Sequence, residues 1–259
     1  MSVVFAAGFL VPQQFADKDY FRGAKTAFPD ALFPPVPPVA DVSTRAKALA
    51  SRINAAFPNG PIHIVAHSMA GLDACFLPTN NLCGLAEPGR VASLSTISTP
   101  HGGTPVADFL VGPTPSILDP RWVAYQGLVQ LAGAFGQSIG ALGDLTGSFA
   151  STFNPQNRNL QHVNYYCYAG SGTEPFPLLQ LSHWYIDSVG QTPDDKANDC
   201  LVSVKSASLV PLAEATWPTD HFGEVGYSLS NPPTFASPLF TSGFDHISAY
   251  HRIPARPGA

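Results

Sequence analysis

The chain has 259 residues, 45% of them hydrophobic and only 12% charged, with a net charge of -5. An ordinary soluble domain carries about 25% charged residues; this low share, with 26 Pro and 22 Gly spread without a short period, excludes collagen-like sequence and charge-rich disorder. With 13 Lys and Arg in all there is no basic footprint for nucleic acid, and no apolar run reaches the ~18 residues of a membrane span.

The length suits one α/β domain or two small ones. Val3–Val11 (VVFAAGFLV) has the greasiness of a signal-peptide core, but the first basic residue is Lys18. The expectation is a buried strand, Val3–Ala6, turning at Gly8. Compartment stays open: cytoplasmic as the chain stands, or secreted after loss of a leader. Residues 28–40 hold five prolines and read as an extended loop. Asp41 then caps a helix with Val42, Ala46, Leu49, Ile53 and Phe57 on one stripe, Arg45 and Lys47 off it, and Asn59-Gly60-Pro61 at its end. Ile62–Ala66 is a short β-branched strand, Met69–Leu77 a helix stopped by Pro78, and Val91–Ile97 another strand. This alternation predicts a mostly parallel sheet with helices on both faces.

Residues 105–160 break the alternation. A loop with Pro113, Pro115 and Pro120 leads into Trp122–Phe149, which is apolar, dotted with glycines, and has Asp144 as its one acidic residue. A weakly stable apolar helical insertion suits a cover over an active site; a pair of ordinary core helices is the competing reading. Val163–Ala169 reads as a strand and Leu201–Val204 as a shorter one. The expected organisation is a single domain, 1–259, with 105–160 as a helical lid. Cys75, Cys83, Cys167 and Cys200 form no C-x-x-C, which excludes a zinc ribbon and leaves disulfides or buried thiols open.

The chemistry centres on Ile62–Gly71, IHIVAHSMAG. A serine between a strand and a helix, with small residues two before and two after it, is a nucleophile elbow. The sharp turn lifts the Ser68 hydroxyl above the sheet, and Ala66 and Ala70 stand where glycines are usual. The helix that follows aims its N–H groups at developing negative charge. Met69 would supply one oxyanion-hole N–H, and Phe9, after the first strand, the other. A serine nucleophile needs a base and an orienting acid, in the chain order Ser, acid, His. Asp199 lies at the start of an apolar stretch, whereas Asp194 and Asp195 sit in a polar loop. His221 and His246 both follow it, each beside an aspartate, and the residues alone do not choose between them.

Four blocks resemble the true bacterial lipases, the triacylglycerol lipases of the α/β-hydrolase fold: VAHSMAGLDA (65–74), SLSTISTPHGGTPVADFL (93–110), VNYYCYAGSGT (163–173) and NDCLVSVKSA (198–207). Their order and spacing match over most of the chain. The resemblance implies an α/β-hydrolase fold, Asp199 as the acid in the Asn-Asp-Gly-Leu-Val position, and His221 as the base, with His246 the runner-up. It also has departures. Ala7 replaces the histidine usual before Gly8, Cys75 replaces an arginine, and Lys205 stands where some relatives have a disulfide cysteine. Gly223 stands where many have a calcium-ligating Asp, so no family-type calcium site is expected.

The remaining candidates read as structure. His63 and His67 lack the H-E-x-x-H context of a zinc site, His101 supports a sheet edge, Asp73 partners another side chain, and Asp220 and Asp245 cap loops. The expected function is a serine carboxylic-ester hydrolase acting on apolar acyl esters without cofactor or metal. A polyester depolymerase, an acyltransferase with the same triad, and a non-catalytic binding protein of the same fold are the alternatives.

Overall fold

A parallel sheet in the spatial order β1 (Ser2–Ala6), β2 (Ile62–His67), β3 (Val91–Ile97) and β4 (Asn164–Tyr168) carries the molecule. The structure is a computed structural model and describes residues 2–8, 19–119, 121–134, 139–157, 159–172, 177–228 and 240–253. Every residue of β2 is buried, as expected of a strand flanked on both sides. Ala6 lies opposite Ala66, and Ala66 opposite Thr96, so β1, β2 and β3 end at one level. Gly8, Ser68 and Ser98 therefore emerge together at the carboxyl ends of the strands, the usual place for a site in an open α/β sheet. Bridges from Cys167 to Leu212 and from Gly170 to Trp217 continue the pairing beyond β4 and lead the chain towards His221.

The helices of the first hundred residues are α1 (Ala24–Ala27), α2 (Val42–Ala56) and α3 (Ala70–Thr79). Asp41 caps α2 by accepting from the Thr44 N–H at 2.9 Å. The expected stripe is buried, but Arg45 is buried with it, while Lys47 is exposed. Arg45 lies three residues after Val42 and four before Leu49, so helical geometry puts it on the inner face. The expectation that it lay off the stripe is corrected. Nor does Pro78 stop α3 at Leu77: the helix runs through it to Thr79. In the last turn a proline removes one N–H only, and Asn80 still donates to the Phe76 carbonyl. The Pro-rich loop after α1 is extended, and Leu32 within it pairs with β1 through hydrogen bonds to Val3 and Phe5.

Within 105–160 the chain forms α4 (Pro105–Val111), α5 (Trp122–Ala134), a 3-10 turn at Ile139–Leu145 and α6 (Gly147–Gln156). Thr104 and Thr146 cap α4 and α6. α4 and α5 pack on α7 (Pro177–Val189), where Phe109 stacks on Tyr185 with ring centroids 4.7 Å apart. Asp144 accepts from the Val42 N–H at 2.8 Å and so sits on the positive end of α2. The remaining elements are α8 (Pro193–Lys196), α9 (Val204–Ala207), a small hairpin of β5 (Tyr227–Ser228) and β6 (Phe240–Thr241), and α10 (His246–Arg252).

Leu201–Val204 is a tight turn rather than a strand. Asp199 Oδ1 accepts from the amides of Leu201 at 2.9 Å and Val202 at 2.7 Å, and Ser203 then caps α9. A side chain that takes two successive amides bends the backbone away from extended pairing. No disulfide joins any of the described cysteines Cys75, Cys83, Cys167 and Cys200. Among the described residues no helix is long and apolar enough to cross a membrane.

Candidate active site

Ser68 leaves β2 with φ of 58°, in the left-handed region that a serine enters only where its surroundings hold it there. Three contacts do so. Its N–H donates to the Ile97 carbonyl at 2.9 Å, and its carbonyl accepts from the Gly71 N–H at 3.0 Å and from the Thr99 hydroxyl at 2.8 Å. Gly71 is needed for this packing, because a Cβ there would run into the Thr99 side chain. Met69 is the N-cap of α3, with its side chain wholly buried.

The exit loop of β1 lies directly on the elbow. A Cβ on Gly8 would sit 2.6 Å from Ser68 Cβ, 2.7 Å from the His67 carbonyl and 2.8 Å from the Tyr20 hydroxyl. Only glycine lets the chain pass there. Phe9, the expected second oxyanion donor, lies outside the described residues.

Asp199 and His221 are brought together. His221 Nδ1 is 2.7 Å from Asp199 Oδ2, and the His221 N–H donates to the Asp199 carbonyl at 2.9 Å. Both side chains are buried, Asp199 completely. Asp199 thus faces two main-chain amides and an imidazole N–H, the acceptor role of a carboxylate. Nδ1 carrying the proton leaves Nε2 of His221 as a proton acceptor. Cys200, in the place of the usual glycine, adopts φ of 79° to make the turn.

His246 lies elsewhere. It opens α10, its Nε2 is 2.7 Å from the Arg22 carbonyl, and its ring fills the space a Cβ on Gly226 would need. Asp220 accepts from the amides of Phe222 and Gly223 and caps a loop, whereas Asp245 caps the helix α10. His63 bonds Ser93, and His101 bonds Thr96 while its carbonyl accepts from Asn154. Burial holds His101 down to about 3. Asp73 pairs with Arg45 at 2.9 Å, both completely buried. Asp194 is exposed, and Asp195 forms a capping box with Thr192.

Beside the Asp199–His221 pair lies a second one that sequence reasoning did not find. His67, the neighbour of Ser68, places Nε2 2.9 Å from Glu224 Oε2 and Nδ1 2.7 Å from the Tyr20 hydroxyl. The His67 and His221 rings are 4.5 Å apart, and Glu224 Oε2 is 3.9 Å from His221 Nδ1. Glu224 also accepts from the Ser98 hydroxyl at 2.5 Å. Burial, and then the charge of Asp199, push Glu224 well above the carboxylate range, while burial and then His221 push His67 well below the imidazole range. One signal for Glu224 was its place three residues after His221; Tyr20 had none. His67, His221 and Glu224 hold ligand atoms within 4.8 Å of one another, close enough for a small cation, though each already serves in the hydrogen bonds just described.

This arrangement, a strained serine after β2 with an acid–histidine pair from later loops at the same end of a parallel sheet, is that of the α/β-hydrolase fold, and comparison with solved structures shows that fold. The mature form of Bacillus licheniformis lipase BlEst2 is similar at 22% identity and TM-score 0.66, covering 86% of each chain. Staphylococcus hyicus lipase follows at 18% identity and TM-score 0.58, over 87% of this chain and 88% of that one. The metagenomic carboxyl esterase MGS0156 has 17% identity and TM-score 0.66, over 90% of this chain and 68% of its own. No family model and no curated protein sequence matches the chain.

Proposed function

We propose that this protein is a serine carboxylic-ester hydrolase acting on apolar acyl esters. The reading rests above all on one observation: Ser68 is held at φ of 58° with Gly8 pressed against it, at the end of the sheet where His221 meets Asp199. Ser68 Oγ attacks the ester carbonyl while His221 Nε2 takes its proton. Asp199 orients the ring and stabilises the imidazolium. The N–H groups of Met69 and Phe9 receive the oxyanion, the alcohol leaves with the proton from His221, and water releases the acid by the same steps in reverse.

The structurally similar proteins are named as lipases and a carboxyl esterase, which supports an ester as the bond cleaved. Residues 105–160 form the cover of the acyl site on this reading. The Thr104 hydroxyl donates to the Leu201 carbonyl at 2.5 Å, so the insertion starts against the Asp199 turn. At its outer edge Ile117 and Leu118 are 73% and 90% exposed, an apolar tip suited to a water-poor substrate.

The test uses a fluorophosphonate probe and p-nitrophenyl esters of graded chain length on wild type, Ser68→Ala, His221→Ala and His246→Ala. Labelling and turnover should vanish in the first two variants and persist in the third. Labelling that survives Ser68→Ala sinks the nucleophile assignment, and activity in His221→Ala with none in His246→Ala reverses the base. Added alcohol that captures the acyl group faster than water does would favour an acyltransferase.

A further inference from the structure

Arg45 is the largest completely buried side chain in the described structure. A guanidinium in such a place needs partners at every edge of its planar fork. Nε donates to Asp73 Oδ2 at 2.9 Å, Nη1 to the Pro37 carbonyl at 2.8 Å, and Nη2 to the Ala7 carbonyl at 2.8 Å. Two of these three partners lead straight to Ser68. The Asp73 N–H donates to the Met69 carbonyl at 3.2 Å, so Asp73 stands one turn along α3 from the elbow. Ala7 is bonded to Gly8, the residue pressed against Ser68 Cβ. One rigid fork therefore spans the end of β1 and the first turn of α3, the two segments on either side of the Ser68 turn.

As a stabilising device the pair is poor. Asp73 Oδ1 is buried without a hydrogen-bond partner, and burial raises the Asp73 carboxyl to about 7 in spite of the arginine beside it. An ion pair that is costly to bury and imperfectly satisfied is commonly matched or bettered by apolar side chains of similar size. What apolar side chains cannot supply is the fixed distance between the Ala7 carbonyl and α3. Tyr20 holds the same loop from its other side: its hydroxyl lies 2.8 Å from where a Cβ on Gly8 would fall and meets His67 Nδ1 at 2.7 Å.

We propose that Arg45 is a positioning residue that sets the exit loop of β1 against the N-terminus of α3, and so the geometry of the oxyanion hole. The proposal rests on the ester-hydrolase reading above and deepens it. Arg45 touches no reacting atom; it acts through Ala7 and Asp73.

The experiment compares wild type, Arg45→Met, Arg45→Lys and Tyr20→Phe, with Ser68→Ala as control. It measures kcat and KM on p-nitrophenyl butyrate, the inhibition constant of an alkyl boronic acid that forms a tetrahedral adduct on a reactive serine, and Tm. A displaced oxyanion loop should lower kcat by about 10- to 100-fold, with KM changed little. Boronate affinity should fall in proportion to kcat. Arg45→Lys should recover only part of the loss, because an ammonium cannot serve three directions at fixed angles. Wild-type kcat and boronate affinity in Arg45→Met or Arg45→Lys, folded at the assay temperature, would overturn the proposal. If Arg45→Met does not fold, Arg45→Lys and Tyr20→Phe decide, and a change confined to Tm in both counts against it. Activity persisting in Ser68→Ala would bring down the ester-hydrolase reading, a failure visible separately from that of Arg45.

Discussion

Two histidine–carboxyl pairs stand side by side at the carboxyl end of the sheet, and they differ in how each ring is engaged. His67 is gripped at both nitrogens, by Tyr20 and by Glu224, which leaves it none for a reacting proton. His221 is held through Nδ1 by Asp199, the side that leaves Nε2 free to act as acceptor. The carboxyls differ as well. Asp199 takes two main-chain amides, whereas Glu224 takes the Ser98 hydroxyl, lies against Gly170, and is pushed upward by burial and by Asp199. On the ester-hydrolase reading, a short histidine–carboxyl contact is not enough to make a catalytic base. On that reading what matters is whether a second partner already takes the other ring nitrogen, as Tyr20 does for His67.

Exchanging the carboxyls one at a time should break the comparison hardest. Asp199→Asn keeps the shape but offers His221 Nδ1 an amide, favouring the wrong tautomer, and kcat for ester hydrolysis should fall on the order of 10⁴-fold. Glu224→Gln should cost less than about tenfold, since His67 takes no proton from the serine on this reading. Equal losses would show that the two carboxyls share one role. Next in size is Gly8→Ala. Its Cβ has to displace Ser68, the His67 carbonyl or the Tyr20 hydroxyl, and kcat should drop about 100-fold in a protein that still folds.

Stability against pH sharpens the comparison further. Glu224 is raised above its ordinary value of 4.5. Its stabilising contribution is complete below 4.5 and is lost as pH rises through the folded value. His101 runs the other way, from 6.5 in the unfolded chain to about 3 in the folded one. Its contribution is complete above 6.5 and is lost as pH falls towards 3. Urea midpoints across this range, taken as differences from wild type, should therefore rise with pH for Glu224→Gln and rise on acidification for His101→Gln. Flat differences would mean that neither group is held out of its ordinary range. The smallest effect is expected at His246→Ala, which should leave kcat nearly unchanged and lower Tm by a few degrees through loss of the packing around Gly226.

Much of the frame was legible before the structure. The β-branched runs at Ile62 and Val91, the Asp41 cap and the stripe on α2 became the expected elements, because strands and helices of this kind are written in local spacing. Ser68 was legible for the same reason: the elbow is a local strand–turn–helix pattern. Leu201–Val204 misled, since its apolar residues suit a strand while the aspartate before them folds the backbone into a turn. Arg45 misled through its charge, which outweighed its position on the buried face.

The choice between His221 and His246 was not contained in their neighbourhoods, since each follows an aspartate and precedes apolar residues. A resemblance between families suggested one of them, and the structure puts that one against Asp199 and the other against Arg22. The His67–Glu224 contact joins residues 157 positions apart, and the Arg45–Ala7 contact residues 38 apart. The sequence by itself determined most of the early elements and the strand–turn–helix at Ser68, because those depend on hydrogen bonds and side-chain spacing within a few residues. Only the tertiary structure decided which carboxyl meets which imidazole and what holds the Gly8 loop, because strand order and register, not proximity along the chain, bring those groups within reach.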